Sequence, residues 1–180
     1  MINKPDFSLS RGVGSKPNRK IAFYRASRLA AVQALYQIEF SGSNENAVIN
    51  EFRLHRFETV DEEFNGDQQP NARLFQELVT GTSKYLEQID QYIISTLDKS
   101  WPLKRLPIVM RCILRMGTFE LISKVEVPAG VVIKEYVDLA NSFFSGKEPG
   151  MVNGVLDTLA HQLRPGELEA RLERREKPSK

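Results

Sequence analysis

Between Leu106 and Ser123 the chain reads LPIVMRCILRMGTFELIS, and apolar side chains fill nearly every turn of the helix this spacing predicts. Ile108, Val109, Met110, Cys112, Ile113, Leu114, Met116, Phe119, Leu121 and Ile122 leave one narrow polar stripe. Arg111, Arg115 and Thr118 form it, at i, i+4 and i+7 on one face. A helix that is apolar nearly all round is buried in a core or in a membrane. The two arginines cut this run short of the roughly 18 residues that a membrane span needs. The stretch is therefore predicted as a central helix with others packed around it. Pro107 suits its first turn, and the arginine stripe is its one polar opening.

The same periodicity predicts five further helices. The first runs from about Lys20 to Ser41-Gly42, with Leu29, Val32, Leu35 and Tyr36 as its apolar stripe. The second runs from Asn44 to about Glu63 through Val48, Phe52 and Phe57, and ends in the loop Asn65-Gly66-Asp67 and Pro70. The third runs from Asn71 to about Leu97, with Leu74, Leu78, Tyr85, Ile89, Tyr92 and Ile93 at spacings of three and four. Gly81 either kinks it or lets a neighbour approach closely. Trp101-Pro102-Leu103 is a hinge into the central helix, and Val127-Pro128 breaks the chain after it. Ala129 to Phe144 buries Val132, Ile133, Val137, Ala140 and Phe144, with Lys134, Asp138, Asn141 and Ser145 on its wet side. After the loop Ser145–Gly150, Met151 to Leu163 buries Val152, Val155, Leu156, Leu159 and Leu163, and Arg164-Pro165-Gly166 stops it. No strand pattern of period two occurs, so the predicted fold class is all-α.

Composition changes this picture at the ends. With 41% hydrophobic and 27% charged residues, the 180-residue chain is that of a soluble globular protein. Its first thirty residues hold no apolar signal core. A single cysteine, Cys112, rules out an internal disulfide, fits a cytoplasmic protein, and reads as a small core hydrophobe. Residues 1–28 carry Lys4, Arg11, Lys16, Arg19, Lys20, Arg25 and Arg28 against Asp6 alone, and the remainder is net acidic. Residues 1–19 are thus a flexible basic arm, 20–165 the helical domain, and 166–180 a charged tail. The domain divides into subdomains of about 20–100 and 101–165. A basic arm on an acidic body suits a polyanion, above all nucleic acid. Positive charge at a helix start opposes the macrodipole, which points to an anion met there.

Catalytic signals are poor, and the chain is expected not to be an enzyme. It has no G-x-x-x-x-G-K-[ST] loop and no G-x-G-x-x-G after a strand. His55 and His161 sit on separate helices without metal-ligand spacing and read as surface or half-buried histidines. Asp61-Glu62-Glu63 reads as a solvated face. No cofactor and no metal are expected. Asn153-Gly154, inside an apolar helix, reads as close helix packing over the glycine, with Asn153 bonded to a neighbouring backbone.

Four ordered segments resemble the NusB family of transcription antitermination factors. They are Ala31-Val-Gln-Ala-Leu-Tyr36 with arginines before it, and Ile113-Leu114-Arg115 followed by Phe119-Glu120-Leu121. Val127-Pro128 leading into Val132 to Ala140, and Met151-Val152-Asn153-Gly154-Val155-Leu156-Asp157, complete the set. The resemblance spans about residues 20–165. It implies two small helical bundles sharing a core, in a non-catalytic cytoplasmic protein. Such a protein would bind single-stranded boxA leader RNA of ribosomal RNA operons together with NusE, a small-subunit ribosomal protein. It would act within the elongation complex of RNA polymerase and other Nus factors, with no membrane involved. By position, Arg19, Lys20, Arg25, Arg28 and Arg115 would meet the RNA backbone, Phe143 would stack on a base, and Tyr36 would face NusE. Two rivals remain. One is a helical adaptor that binds protein alone, which leaves the basic arm unexplained. The other is a relative of the N-terminal domain of ribosomal RNA methyltransferases, although the chain stops before any cofactor-binding α/β domain.

Overall fold

The computed structural model describes residues 19–57 and 70–167. The basic arm through residue 18, the loop with Asp61–Glu63 and Asn65–Asp67, and the tail from 168 lie outside the described residues, as do the side chains of Arg19 and Lys20. Among the described residues seven α-helices follow one another: α1 (Arg19–Ser41), α2 (Glu45–Phe52), α3 (Ala72–Lys84), α4 (Leu86–Thr96), α5 (Ile108–Ser123), α6 (Ala129–Phe143) and α7 (Glu148–Leu163). No strand occurs among the described residues, so the fold is all-α.

The predicted central helix is central. α5 packs against α1, α3, α4, α6 and α7, and Met110, Cys112, Ile113, Leu114, Met116 and Leu121 are fully or almost fully buried. Pro107 sits one position before the helix in extended conformation rather than in its first turn. Its carbonyl still accepts from Arg111, 3.1 Å away.

Helix ends show where side chains override simple periodicity. Asn44 caps α2 by accepting from the amides of Asn46 and Ala47, at 2.9 and 3.3 Å. That helix ends at Phe52, earlier than its apolar spacing suggests, and passes into a wider π-helical turn, Arg53–Phe57. The turn lets Phe57 meet Phe75 edge-on at 4.9 Å. The long third helix of the sequence reading is two helices, parted at Tyr85. Gly81 is not the kink. It lies under Phe119, whose ring would sit 2.0 Å from a Cβ at that position, so it serves close approach of α5 to α3. Gly42, with φ of +66°, ends α1 in the left-handed conformation.

Two corrections concern α7. It begins at Glu148, a turn before Met151, with Pro149 in its first turn. Asn153 and Gly154 do not pack against a neighbouring helix: both are exposed, and a Cβ on Gly154 would meet nothing within 4 Å. The helix stops at Leu163, just before Arg164-Pro165-Gly166, and Arg164 is buried. Its guanidinium donates to the carbonyls of Leu121 (2.7 Å), Glu120 (3.1 Å), Lys124 (2.9 Å) and Val127 (2.6 Å). These include carbonyls of the last turn of α5, among them that of Glu120, which also accepts from the Lys124 amide at 3.0 Å. Glu167 completes the staple, meeting Arg164 at 3.2 Å and accepting from the Ala129 amide at the start of α6 at 2.7 Å.

Candidate nucleic-acid and partner interface

The first turns of α1 direct Arg25 and Arg28 at carboxylates on α5 and α6. Arg25, half exposed, donates to Glu135 (3.0 and 3.3 Å) and to Asp138 (2.9 Å), which also accepts from Lys134 at 2.6 Å. Arg28 is buried. It pairs through two nitrogens with Glu120, which has no exposed side-chain surface, and lies 3.7 Å from Glu135. The Tyr136 hydroxyl donates to the same Glu120 at 2.9 Å. Burial, together with the charge of Glu120, pushes the Tyr136 phenol well above its ordinary value. On Arg28, the hydrogen bond and charge of Glu120 outweigh the cost of burial and raise the pKa further. These pairs lock α1 to α5 and α6.

The arginine stripe of α5 forms a second cluster. Arg115 is buried and clamps Asp90 of α4 through two bonds, at 2.7 and 2.8 Å, while a third reaches Glu39 of α1 at 2.7 Å. Arg111 also pairs with Glu39, and donates to the Leu106 carbonyl at 2.6 Å. Thr118 is buried and bonds its own helix at Leu114. The stripe is therefore no opening to solvent. Buried guanidinium groups demand carboxylate partners, and α1 and α4 supply them. Glu39 lies eleven positions along α1 from Arg28, about 16 Å at helical rise. Arg115 is thus set apart from the Arg25–Arg28 cluster.

Two other predicted residues do come together. Tyr36 and Phe143, 39% and 43% exposed, line one apolar groove of about 560 Å³ with Val32, Phe40 and Val109. Phe40 is 70% exposed, and its ring stacks on Tyr36 with centroids 5.7 Å apart and planes 8° from parallel. The sequence reading did not single out Phe40, although it follows Tyr36 at i+4 on the same face. The roles of Glu39, Asp90, Glu120 and Glu135 are not legible locally, because a partner 25 to 110 positions away leaves no pattern in the sequence. Tyr24, also exposed, borders a separate hollow with Arg73 and Lys124.

The family model for NusB matches residues 25–161, from the first ion-paired arginine of α1 to the last turn of α7. The chain belongs to the NusB family. It is 42% identical over 161 residues to the transcription antitermination protein NusB of Nitrobacter winogradskyi, covering 88% of this chain and 96% of that one. The NusB protein of Caulobacter vibrioides is 46% identical over 140 residues, covering 77% and 92%. Among solved structures, T. maritima NusB superposes with a TM-score of 0.66 at 28% identity, over 81% of this chain and 96% of that chain. A crystal structure of the antitermination factors NusB and NusE in complex with dsRNA gives a TM-score of 0.63 at 26% identity, over 78% and 97%. This NusB-family fold thus places one aromatic groove and two arginine–carboxylate clusters around α1. No helix among the described residues is long and apolar enough to cross a membrane.

Proposed function

We propose that this NusB-family chain is a transcription antitermination factor that binds boxA RNA jointly with NusE and promotes read-through by RNA polymerase. The observation that carries the reading is the groove of Tyr36, Phe40, Val109 and Phe143. Exposed stacked aromatics beside an apolar hollow are the anchors that protein partners use. The relatives of this chain are antitermination proteins, and one of its structural neighbours is held with NusE and RNA. In this reading Tyr36 and Phe40 meet NusE, and Phe143 at the groove's edge takes a base. Arg25, with Arg19 and Lys20 one or two turns before it, meets phosphates. Arg28 and Arg115 act from behind: Arg28 ties α1 to Glu120 of α5, and Arg115 ties α5 to Glu39 of α1 and Asp90 of α4.

The neutralised arginines favour a second reading, an adaptor that binds protein alone. Filter binding of boxA RNA against a scrambled strand, with and without NusE, separates the two. Selective binding that strengthens with NusE supports the first reading; no RNA binding with NusE bound leaves the second. Tyr36→Asp is expected to abolish NusE binding while the far-ultraviolet circular dichroism spectrum stays unchanged. Loss of the helical spectrum instead would make Tyr36 a residue of the fold.

A further inference from the structure

At the face of Arg25 and Arg28 every described guanidinium already has a carboxylate. Around Trp101 the balance is reversed. Lys99, Lys104, Arg105 and Lys147 are all exposed, and none forms an ion pair with a carboxylate among the described residues. Two carboxylates also face this corner, Asp98, which accepts from the Ser100 amide and hydroxyl at 2.7 and 2.6 Å, and Glu148, which has one oxygen hidden from solvent; the four cations outnumber them. Trp101 is 47% exposed. With Leu97, Lys147, Met151 and Gly154 it lines a cavity of about 450 Å³ between the end of α4 and the start of α7.

Gly154 forms part of the wall of this cavity. Nothing within 4 Å would meet a Cβ there, so packing does not require glycine, and glycine inside an exposed helix is unfavourable relative to alanine. What the missing side chain does is leave the helix backbone bare beneath the cavity, where a flat group can lie close. An exposed indole, a largely apolar cavity with Lys147 on its wall, and further unpaired cations within four residues of the indole are the parts from which single-stranded nucleic acid sites are built.

We propose that this corner is a second single-stranded RNA site. A base stacks on Trp101 over Gly154, and the phosphates on either side meet Lys147 and the Lys99, Lys104 and Arg105 group. The site lies apart from the Tyr36–Phe143 groove, with which it shares no lining residue, so it engages RNA flanking the element bound there. The inference rests on the chain being an RNA binder.

Trp101 is the only tryptophan, so its fluorescence reports on this corner alone. The probes are a boxA oligonucleotide and the same oligonucleotide extended by single-stranded flanks, each titrated into the full chain with NusE, while filter binding measures total affinity. The extended RNA is expected to quench Trp101 and to bind more tightly than the short one. Lys147→Gln should remove about 0.7 from the slope of log affinity against log salt for the extended RNA only. Trp101→Ala should weaken the extended RNA about tenfold, the loss expected of one stacked base, without changing the short one. Gly154→Ala should raise the melting temperature yet weaken the extended RNA, which a glycine kept for folding would not do. Extended RNA that binds without quenching, and with equal affinity in all three variants, overturns this site and leaves the boxA reading standing. Failure of both RNAs to bind overturns both readings. Protection of Trp101 from acrylamide by NusE but by neither RNA would make the corner a protein contact and also overturn the site.

Discussion

Arg28 of α1 and Glu120 of α5, 92 positions apart in the chain, form a two-bond ion pair that is almost wholly shut off from solvent. Removing one partner from such a pair strands the other charge, at a cost of about 3–5 kcal/mol. Arg28→Ala should therefore lower the urea midpoint steeply before any RNA is added. Replacing both residues by apolar side chains, Arg28→Met with Glu120→Leu, should recover part of that loss. A double variant no more stable than Arg28→Ala would mean that the Tyr136 hydroxyl, left without its acceptor, dominates the cost.

Gly81 and Phe119 give a test of packing. Alanine would gain about 1 kcal/mol in helix propensity at position 81, yet its methyl meets the Phe119 ring. Overpacking of this kind costs about 1–3 kcal/mol, so Gly81→Ala should be destabilising in thermal melts. Adding Phe119→Leu should relieve part of the clash, so that the two changes together cost less than their sum.

Stability should also carry a pH signature from Glu77. Hydrogen bonds from Lys124 and then Arg73 hold its carboxyl below the ordinary value of 4.5. A carboxyl lowered on folding stabilises the folded chain above its unfolded pKa, and that stabilisation is lost as pH falls through the lowered value. Melting curves of the parent and of Glu77→Gln should differ at neutral pH and converge in acid, once the pH has fallen below the lowered folded value. Because the carboxylate is partly exposed, added salt should narrow the difference.

Cys112 should be silent toward thiol reagents in the folded state. Burial first, and the neighbouring Glu39 charge second, push its thiol up to about 12, so almost no thiolate exists at neutral pH. Labelling by an aromatic disulfide should proceed only as fast as the chain opens, accelerating with urea in step with unfolding. Rapid labelling under native conditions would contradict the burial of α5.

The centrality of α5 was legible in its residues because burial on every face writes itself into composition. Helix existence followed from apolar spacing in the same way. The break at Tyr85 was not legible, since no proline or glycine marks it and the apolar period runs on through it. The arginines show a different limit. Their presence on α1 and α5 is plain in the sequence, but a phosphate and a distant carboxylate ask for the same residue. Only the fold places Glu120 beneath Arg28 and Glu39 beside Arg115. Tyr36 and Phe143 were named for separate partners and prove to border one groove. That convergence depends on how α1 and α6 are packed, which no local pattern encodes.

The staple made by Arg164 has a consequence for the chain as it is being made. The carbonyl of Leu121 waits for a guanidinium that lies 43 residues later. At roughly 5–20 residues per second of synthesis, that interval is about 2–9 s. Throughout it the central helix lacks the cover of α6 and α7, with its C-terminal end unfinished. The ribosome must deliver α6, α7 and Arg164 before the core can close. In Arg164→Ala that unfinished state never ends: the carbonyls stay without their guanidinium donor after release, so the variant should both melt earlier and leave a larger share of new chains aggregated or captured by chaperones.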